Sequence, residues 1–100
     1  MNSFGLPQDV YKDIVNILKC FPEIEQAKVF GSRAKGTQKR YSDVDIAIFA
    51  KPSNHLSASV KDALESLDVI YNFDVLHFEM TSNADLKDHI NRVGVALVLD

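Results

Sequence analysis

The sequence predicts an α/β fold in which a small mixed β-sheet is flanked by helices. Segments with apolar residues at helical spacing alternate with short β-branched runs along the whole chain. The composition, 46% apolar and 25% charged residues, is ordinary for a folded domain, and 100 residues suffice for one hydrophobic core only. We therefore expect a single domain over residues 1–100 with its elements in the order α-β-α-β-α-β-α-β.

The first half of the chain predicts a helix followed by two strands. After Pro7, apolar residues recur at helical spacing, and Pro22 lies where it would interrupt the next turn. The apolar run 27–30 predicts a short strand. Residues 31–42 are polar, basic and contain two glycines, which indicates a loop or a single helical turn. Alternation of apolar and polar side chains over 43–48 predicts the next strand.

The second half predicts two more helices and two more strands. Residues 56–67 have helical periodicity, and 68–78 form a stretch rich in β-branched and aromatic residues. Ser82, with Asp85 three residues later, resembles a capping box at the start of the last helix. The apolar tail 95–99 predicts either an edge strand on the sheet or part of a subunit contact.

Charge and cysteine content exclude several classes of protein. The formal net charge of −3 argues against general nucleic-acid binding, which normally requires a basic excess. One cysteine, Cys20, excludes a disulfide framework and a cysteine-based zinc site, and its helical position predicts a small core residue. Neither a signal peptide nor a membrane-spanning run is present, so we expect a cytoplasmic protein with no membrane association. So short a chain is compatible with a homodimer or a hetero-oligomer.

Residues 31–45 carry the strongest indication of chemistry. Asp43 and Asp45 lie two positions apart at the start of a predicted strand, so they face one side about 6.5–7 Å apart. Two neighbouring carboxylates repel each other, and a divalent cation or a shared proton relieves that repulsion. Mg²⁺ prefers oxygen ligands and usually also contacts substrate phosphates.

The residues just upstream suit a phosphate group. Gly31 lets a ligand approach the backbone closely, and Ser32 offers a hydroxyl and an amide near a possible helix start. Four of the eleven basic residues fall within ten positions: Arg33, Lys35, Lys39 and Arg40. Such a local excess of positive charge in a net-negative chain indicates an anionic ligand.

Each of these features alone has a simpler interpretation. Aspartates at a strand start are common turn residues, and a basic run is usually a solvated surface. A Walker A loop is excluded because no lysine follows Gly36, and an EF-hand is excluded because Asp45 leads into an apolar strand. Asp74 lies in a second apolar run, where an acid is unfavourable unless it is paired or metal-bound. It is either a third site carboxylate or an edge-strand acid that faces solvent.

The complete pattern resembles a known family. Gly31-Ser32, ten intervening residues, Asp43-x-Asp45 and a later strand aspartate resemble the nucleotidyltransferase superfamily of DNA polymerase beta and kanamycin nucleotidyltransferase. More narrowly, the chain resembles, over essentially its full length, the minimal nucleotidyltransferase antitoxins that are paired with HEPN toxins. The resemblance implies the nucleotidyltransferase fold and a nucleotide site in which Gly31 and Ser32 hold the β- and γ-phosphates, with Arg33 and Lys35 as basic partners.

The resemblance also implies the reaction. Asp43 and Asp45 would ligate Mg²⁺, and Asp74 would ligate a second ion and help to deprotonate the acceptor hydroxyl. ATP or another nucleoside triphosphate would donate a nucleotidyl group and release pyrophosphate. The implied acceptor is a tyrosine of a HEPN partner, whose AMPylation silences the toxin. Competing hypotheses are an antitoxin that acts by binding alone and a nucleotide-binding sensor without turnover.

Overall fold

The computed structural model describes residues 4–99, and these residues form an α/β fold. The elements, in chain order, are α1 (Gln8–Lys19), β1 (Gln26–Phe30), α2 (Ser32–Lys35), β2 (Val44–Phe49), α3 (Leu56–Glu65), β3 (Phe73–His77), α4 (Ala84–Val93) and β4 (Val95–Ala96), with a 3₁₀ turn at Phe78–Met80. The predicted fold class and the predicted order of helices and strands are both confirmed.

The four strands form one mixed sheet in the order β3-β2-β1-β4. β1 is antiparallel to both β2 and β4, whereas β2 and β3 are parallel. Consequently β1 finishes at the end of the sheet where β2 and β3 begin. We call this end, where Phe30, Val44 and Phe73 lie, the site end of the sheet.

Helices cover both faces of the sheet. On β2, the side chains of Val44, Ile46 and Ile48 are fully buried against α1 and α3. The opposite face of β2 contributes Ala47, which packs with Ile90 of α4 in a smaller cluster. β2 is buried on both faces for most of its length. Packing therefore fixes the position of this strand, including Val44 at its site end.

The segment between α3 and β3 is less extended than the sequence predicts. Only Phe73–His77 of the β-rich stretch 68–78 forms a strand. The backbone turns before it, where the amide of Val69 donates to the carbonyl oxygen of Leu67 at 3.0 Å. Apolar, β-branched composition alone does not distinguish this turning segment from a strand.

Two local predictions are wrong. The side chain of Asn83, rather than Ser82, caps α4 by accepting a hydrogen bond from the amide of Leu86 at 3.0 Å. Cys20 is exposed rather than a core residue, because it follows the last residue of α1, and its thiol lies 3.3 Å from the carbonyl oxygen of Asn16.

The C-terminal tail follows one of its two predicted alternatives. Val95–Ala96 pairs with β1 as an edge strand, and the amide of Leu97 extends the pairing by donating to the carbonyl oxygen of Ala27 at 2.9 Å. Leu97 is buried, whereas Val98 is exposed. None of the helices in residues 4–99 is long and apolar enough to span a membrane.

Candidate functional site

The three predicted carboxylates lie at the site end of the sheet. Asp45 and Asp74 are register partners in the parallel β2–β3 pair, so their side chains project from the same face. Asp43 lies one residue before β2 and two before Asp45. The amide of Val44 donates to the carbonyl oxygen of Asn72 at 2.9 Å, which joins the segment carrying Asp43 to the start of β3.

Gly31 lies next to the carboxylate group formed by Asp43, Asp45 and Asp74. Phe30, the last residue of β1, is the register partner of Asp45, so Gly31 follows directly beside Asp45. A Cβ atom built on Gly31 would collide with Oδ2 of Asp45. The backbone of Gly31 also has φ 73° and ψ −152°, a conformation almost confined to glycine. Glycine is therefore required here for both its conformation and its lack of a side chain.

The electrostatics of the site are dominated by negative charge. Burial raises the pKa of the half-buried Asp45 carboxyl above its ordinary value, and the charges of Asp74 and then Asp43 raise it further. Asp43 and Asp74 are exposed. The ionised form of Asp45 is thus disfavoured unless a positive group is supplied from outside the carboxylate group.

The carboxylate oxygens of the three aspartates are ligands that a hard divalent cation such as Mg²⁺ prefers, and a cation would also reduce the repulsion between the carboxylates. The three aspartates do not form a complete metal site by themselves, because across residues 4–99 no group of three or more His, Cys, Asp or Glu side chains could hold a metal ion without further ligands. An open arrangement suits Mg²⁺ in particular, which is commonly held by one or two carboxylates together with substrate phosphates. The donor set therefore fits Mg²⁺, with phosphate oxygens still to be supplied.

The residues after Gly31 form the short helix α2, which presents two predicted ligand residues. Ser32 begins this helix, and its hydroxyl makes no hydrogen bond to any other part of residues 4–99. Lys35 ends it and is exposed, without an ion pair among the described residues. Gly36 then ends the helix in a left-handed conformation, φ 78° and ψ 14°. Ser32 and Lys35 are thus both available to a ligand.

Arg33, the predicted basic partner of the triphosphate, lies in the interior of the protein. Its side chain is only 1% exposed, and it makes hydrogen bonds to the protein's own backbone carbonyl groups. Sequence reasoning missed this because a buried arginine and a phosphate-binding arginine are both simply basic residues in a motif. It also missed Tyr71, whose ring centroid lies 5.0 Å from the guanidinium carbon of Arg33. No sequence signal links Tyr71 to a residue so distant along the chain.

The sequence matches a known protein family and a known protein. A family model for "Polymerase beta, Nucleotidyltransferase" matches residues 12–99. A probable protein adenylyltransferase MntA from Haemophilus influenzae (strain Rd) is 37% identical over 70 residues, which cover 68% of this chain. The matched region spans 60% of the length of that relative.

Solved structures agree with the family match. A crystal structure of a toxin–antitoxin with AMP-PNP has a TM-score of 0.74 at 26% identity, covering 88% of this chain and 72% of that one. A tri-AMPylated HEPN toxin in complex with MNT antitoxin, from Shewanella oneidensis, includes a chain with a TM-score of 0.69 at 21% identity, covering 91% of this chain and 71% of that one. The second likeness concerns the fold alone. The family model spans most of the chain, and the chain therefore belongs to the polymerase beta nucleotidyltransferase family.

Proposed function

We propose that this chain is a single nucleotidyltransferase domain that transfers AMP from ATP to an acceptor hydroxyl and acts as an antitoxin. One observation carries the proposal: the register pairing of Asp45 with Asp74, with Gly31 directly against Asp45. This arrangement supports a site in which a polyphosphate lies on the glycine-serine turn and faces the carboxylates. The likeness to a protein adenylyltransferase supports the choice of AMP as the transferred group.

The nucleotide is held by the turn that follows β1. Gly31 has no side chain, so the phosphates lie against its backbone, while the hydroxyl of Ser32 donates to a phosphate oxygen. The exposed ammonium of Lys35 adds positive charge beside them. The acceptor hydroxyl attacks the α-phosphorus. A new oxygen–phosphorus bond forms, the bond to the bridging oxygen breaks, and pyrophosphate leaves with the electron pair.

The three aspartates carry the rest of the chemistry. Asp74 is exposed at the start of β3 and receives the proton of the acceptor hydroxyl. Asp43, Asp45 and Asp74 would hold Mg²⁺, two ions per site by family resemblance, which would neutralise the charge that develops on the phosphate oxygens. The half-buried position of Asp45 keeps this charge compensation partly shielded from water, where it is more effective.

The proposed acceptor is a tyrosine of a HEPN-family partner, and the proposed compartment is the cytoplasm. The toxin–antitoxin structure with AMP-PNP supports a nucleotide donor and a toxin as the partner. The domain is small, so the partner would supply the acceptor side of the site. A hetero-oligomer with the HEPN-family protein satisfies this requirement, and it is compatible with a homodimer of this chain within the assembly.

Transfer of label tests the proposal directly. The purified chain is incubated with Mg²⁺, a candidate HEPN-family partner and, separately, each of the four nucleoside triphosphates labelled at the α-phosphate. We expect label from ATP on the partner, and loss of that label with the double variant Asp43→Asn/Asp45→Asn. The matched control, Asp13→Asn/Asp62→Asn, removes the same charge from exposed helical positions and should retain full transfer.

Two outcomes would overturn the proposal. Transfer that persists in Asp43→Asn/Asp45→Asn would remove the assigned roles of these residues. Full protection of cells from the toxin by the same double variant would favour an antitoxin that acts by binding alone.

A further inference from the structure

We propose that Arg33 is a positioning residue for the carboxylate site, because its buried guanidinium fixes the loop that leads into Asp43. This role rests on the proposed function, since it assigns Arg33 to the same site. It differs from the role of a nucleotide ligand: Arg33 acts on the backbone before Asp43, and the nucleotide is left to Gly31, Ser32 and Lys35.

Every nitrogen of the guanidinium is used. Nε and Nη2 both donate to the carbonyl oxygen of Ser42, at 3.1 and 2.8 Å, and Nη2 also lies 3.4 Å from that of Arg40. Nη1 donates to the carbonyl oxygen of Phe4 at 2.8 Å. Ser42 directly precedes Asp43, so the two-pronged bond to its carbonyl fixes the peptide from which the first carboxylate projects.

The loop that Arg33 contacts, residues 39–42, is also ordered by hydrogen bonds of its own. The amide of Ser42 donates to the carbonyl oxygen of Lys39 at 3.1 Å, and the hydroxyl of Ser42 accepts from the amide of Lys39 at 2.8 Å. The guanidinium therefore holds a closed turn at residues 39–42 rather than an isolated peptide. Movement of this turn would shift Asp43 relative to Asp45, which is fixed separately by the pairing of β2.

Two further contacts fix the guanidinium itself. Its carbon lies 5.0 Å from the ring centroid of Tyr71, which is three residues before Asp74 in the chain. Gly5 also brings the N-terminal segment close, since a Cβ there would lie 3.6 Å from Nη1 of Arg33 and 2.5 Å from Nε2 of Gln38. Arg33 thus connects α2, the loop before Asp43, the segment before β3 and the start of the chain.

A lysine cannot replace this arrangement. The guanidinium is a planar fork with five donors, whereas an ammonium is a single point that cannot reach three carbonyl oxygens in different directions. Lysine nevertheless preserves the positive charge near Asp43. Arg33→Lys therefore separates geometry from charge, and a ligand role that needs charge alone would be largely preserved.

The test compares three variants of the full chain. Arg33→Lys removes the fork, and Tyr71→Leu removes the ring that fixes it without leaving a polar group unpaired. The control is Val60→Ala, which truncates a fully buried side chain of α3 and lowers stability without touching Arg33. The readouts are amide hydrogen exchange of residues 36–43 without nucleotide, the Mg²⁺ concentration giving half-maximal label transfer, and the separate values of kcat and KM for ATP.

We expect exchange at residues 39–43 to accelerate by roughly tenfold or more in Arg33→Lys, while exchange in β2 stays unchanged. Displacement of a metal-ligating carboxylate by about 1 Å should lower kcat on the order of 100-fold and raise the Mg²⁺ requirement, with KM for ATP near the wild-type value. Tyr71→Leu should move the same readouts in the same direction by less, and it carries the test if Arg33→Lys does not fold. Val60→Ala should lower only the melting temperature.

Other patterns overturn the inference. A large rise in KM for ATP with unchanged exchange and unchanged Mg²⁺ requirement would make Arg33 a phosphate ligand. Behaviour like that of Val60→Ala, a lower melting temperature alone, would reduce Arg33 to a structural residue. If the wild-type chain transfers no label, the proposed function fails while the exchange measurement still decides whether Arg33 orders the loop.

Discussion

Replacing Gly31 with alanine should damage the site in a way that a matched glycine replacement does not. Gly31 has φ 73° and ψ −152°, where a residue with a side chain costs on the order of 1–3 kcal/mol in backbone strain. Its new Cβ would in addition collide with Oδ2 of Asp45. Gly36 also has a positive φ, 78°, but nothing lies within 4 Å of a Cβ there. Alanine at Gly36 therefore costs only the left-handed penalty, about 1–2 kcal/mol.

These magnitudes give distinct expectations for the two variants. For a domain of this size, about 1 kcal/mol corresponds to roughly 4–8 °C in melting temperature. Gly36→Ala, at about 1–2 kcal/mol, should lower the melting temperature by roughly 4–16 °C and retain label transfer. Gly31→Ala should lower it further, and displacement of Asp45 by about 1 Å should reduce transfer on the order of 100-fold.

A double-mutant cycle separates the collision from the backbone strain. Asp45→Ala removes the carboxylate that the new Cβ would meet, so Gly31→Ala should be less destabilising in that background. We expect a coupling free energy of roughly 1 kcal/mol or more, measured by denaturant unfolding of the four proteins. The same cycle built on Gly36 should be additive within about 0.5 kcal/mol. Additivity of Gly31→Ala with Asp45→Ala would refute the contact between Gly31 and Asp45.

Two further predictions concern stability. Because burial and the charges of Asp74 and Asp43 raise the folded-state pKa of Asp45 above its unfolded value of about 3.8, ionisation of Asp45 destabilises the fold. The protonated form of Asp45 is favoured in the folded state. Its contribution to stability is therefore complete below about pH 3.8 and is lost as pH rises through the folded-state pKa. Asp45→Asn should therefore raise the melting temperature at pH 7, with the gain shrinking towards pH 3.8; an unchanged or lower melting temperature at pH 7 would contradict this. Asn83→Ala should cost about 1 kcal/mol by removing the cap of α4, whereas Ser82→Ala should change the free energy of unfolding by less than about 0.5 kcal/mol; the reverse order would contradict the observed cap.

The parts of the fold that sequence could predict are those governed by local periodicity. Alternation along 43–48 places Val44 in the core and Asp45 on the opposite face, as the buried and half-buried positions of β2 show. Pro7 and Pro22 lie outside α1 at its two ends, where the missing amide and fixed φ of proline favour helix boundaries. These patterns depend only on residues close together in the sequence, so they can be recognised without knowledge of the tertiary structure.

The parts that could not be predicted depend on partners distant along the chain. Arg33 is followed by a basic cluster, so its charge indicated an anionic ligand, yet its partners are carbonyl oxygens up to 29 residues away. Composition also predicted a strand over 68–78, although Tyr71 before β3 packs on Arg33. Periodicity contains no information on such pairings, because they arise only when the sheet brings the segments together.

The unfavourable features of the site have a common origin in the topology of the sheet. An antiparallel neighbour brings the last residue of β1 to the first residues of β2, and a parallel neighbour brings the first residues of β3 to the same place. This crowding puts the backbone of Gly31 against Asp45 and puts the charge of Asp74 beside it. A cation bound there would relieve the repulsion among the aspartates only in the folded state and would let an anionic polyphosphate approach them, so the two ligands together should stabilise the fold by mass action. The same geometry that makes the free site unfavourable thus supplies the driving force for binding a metal and a nucleotide at it.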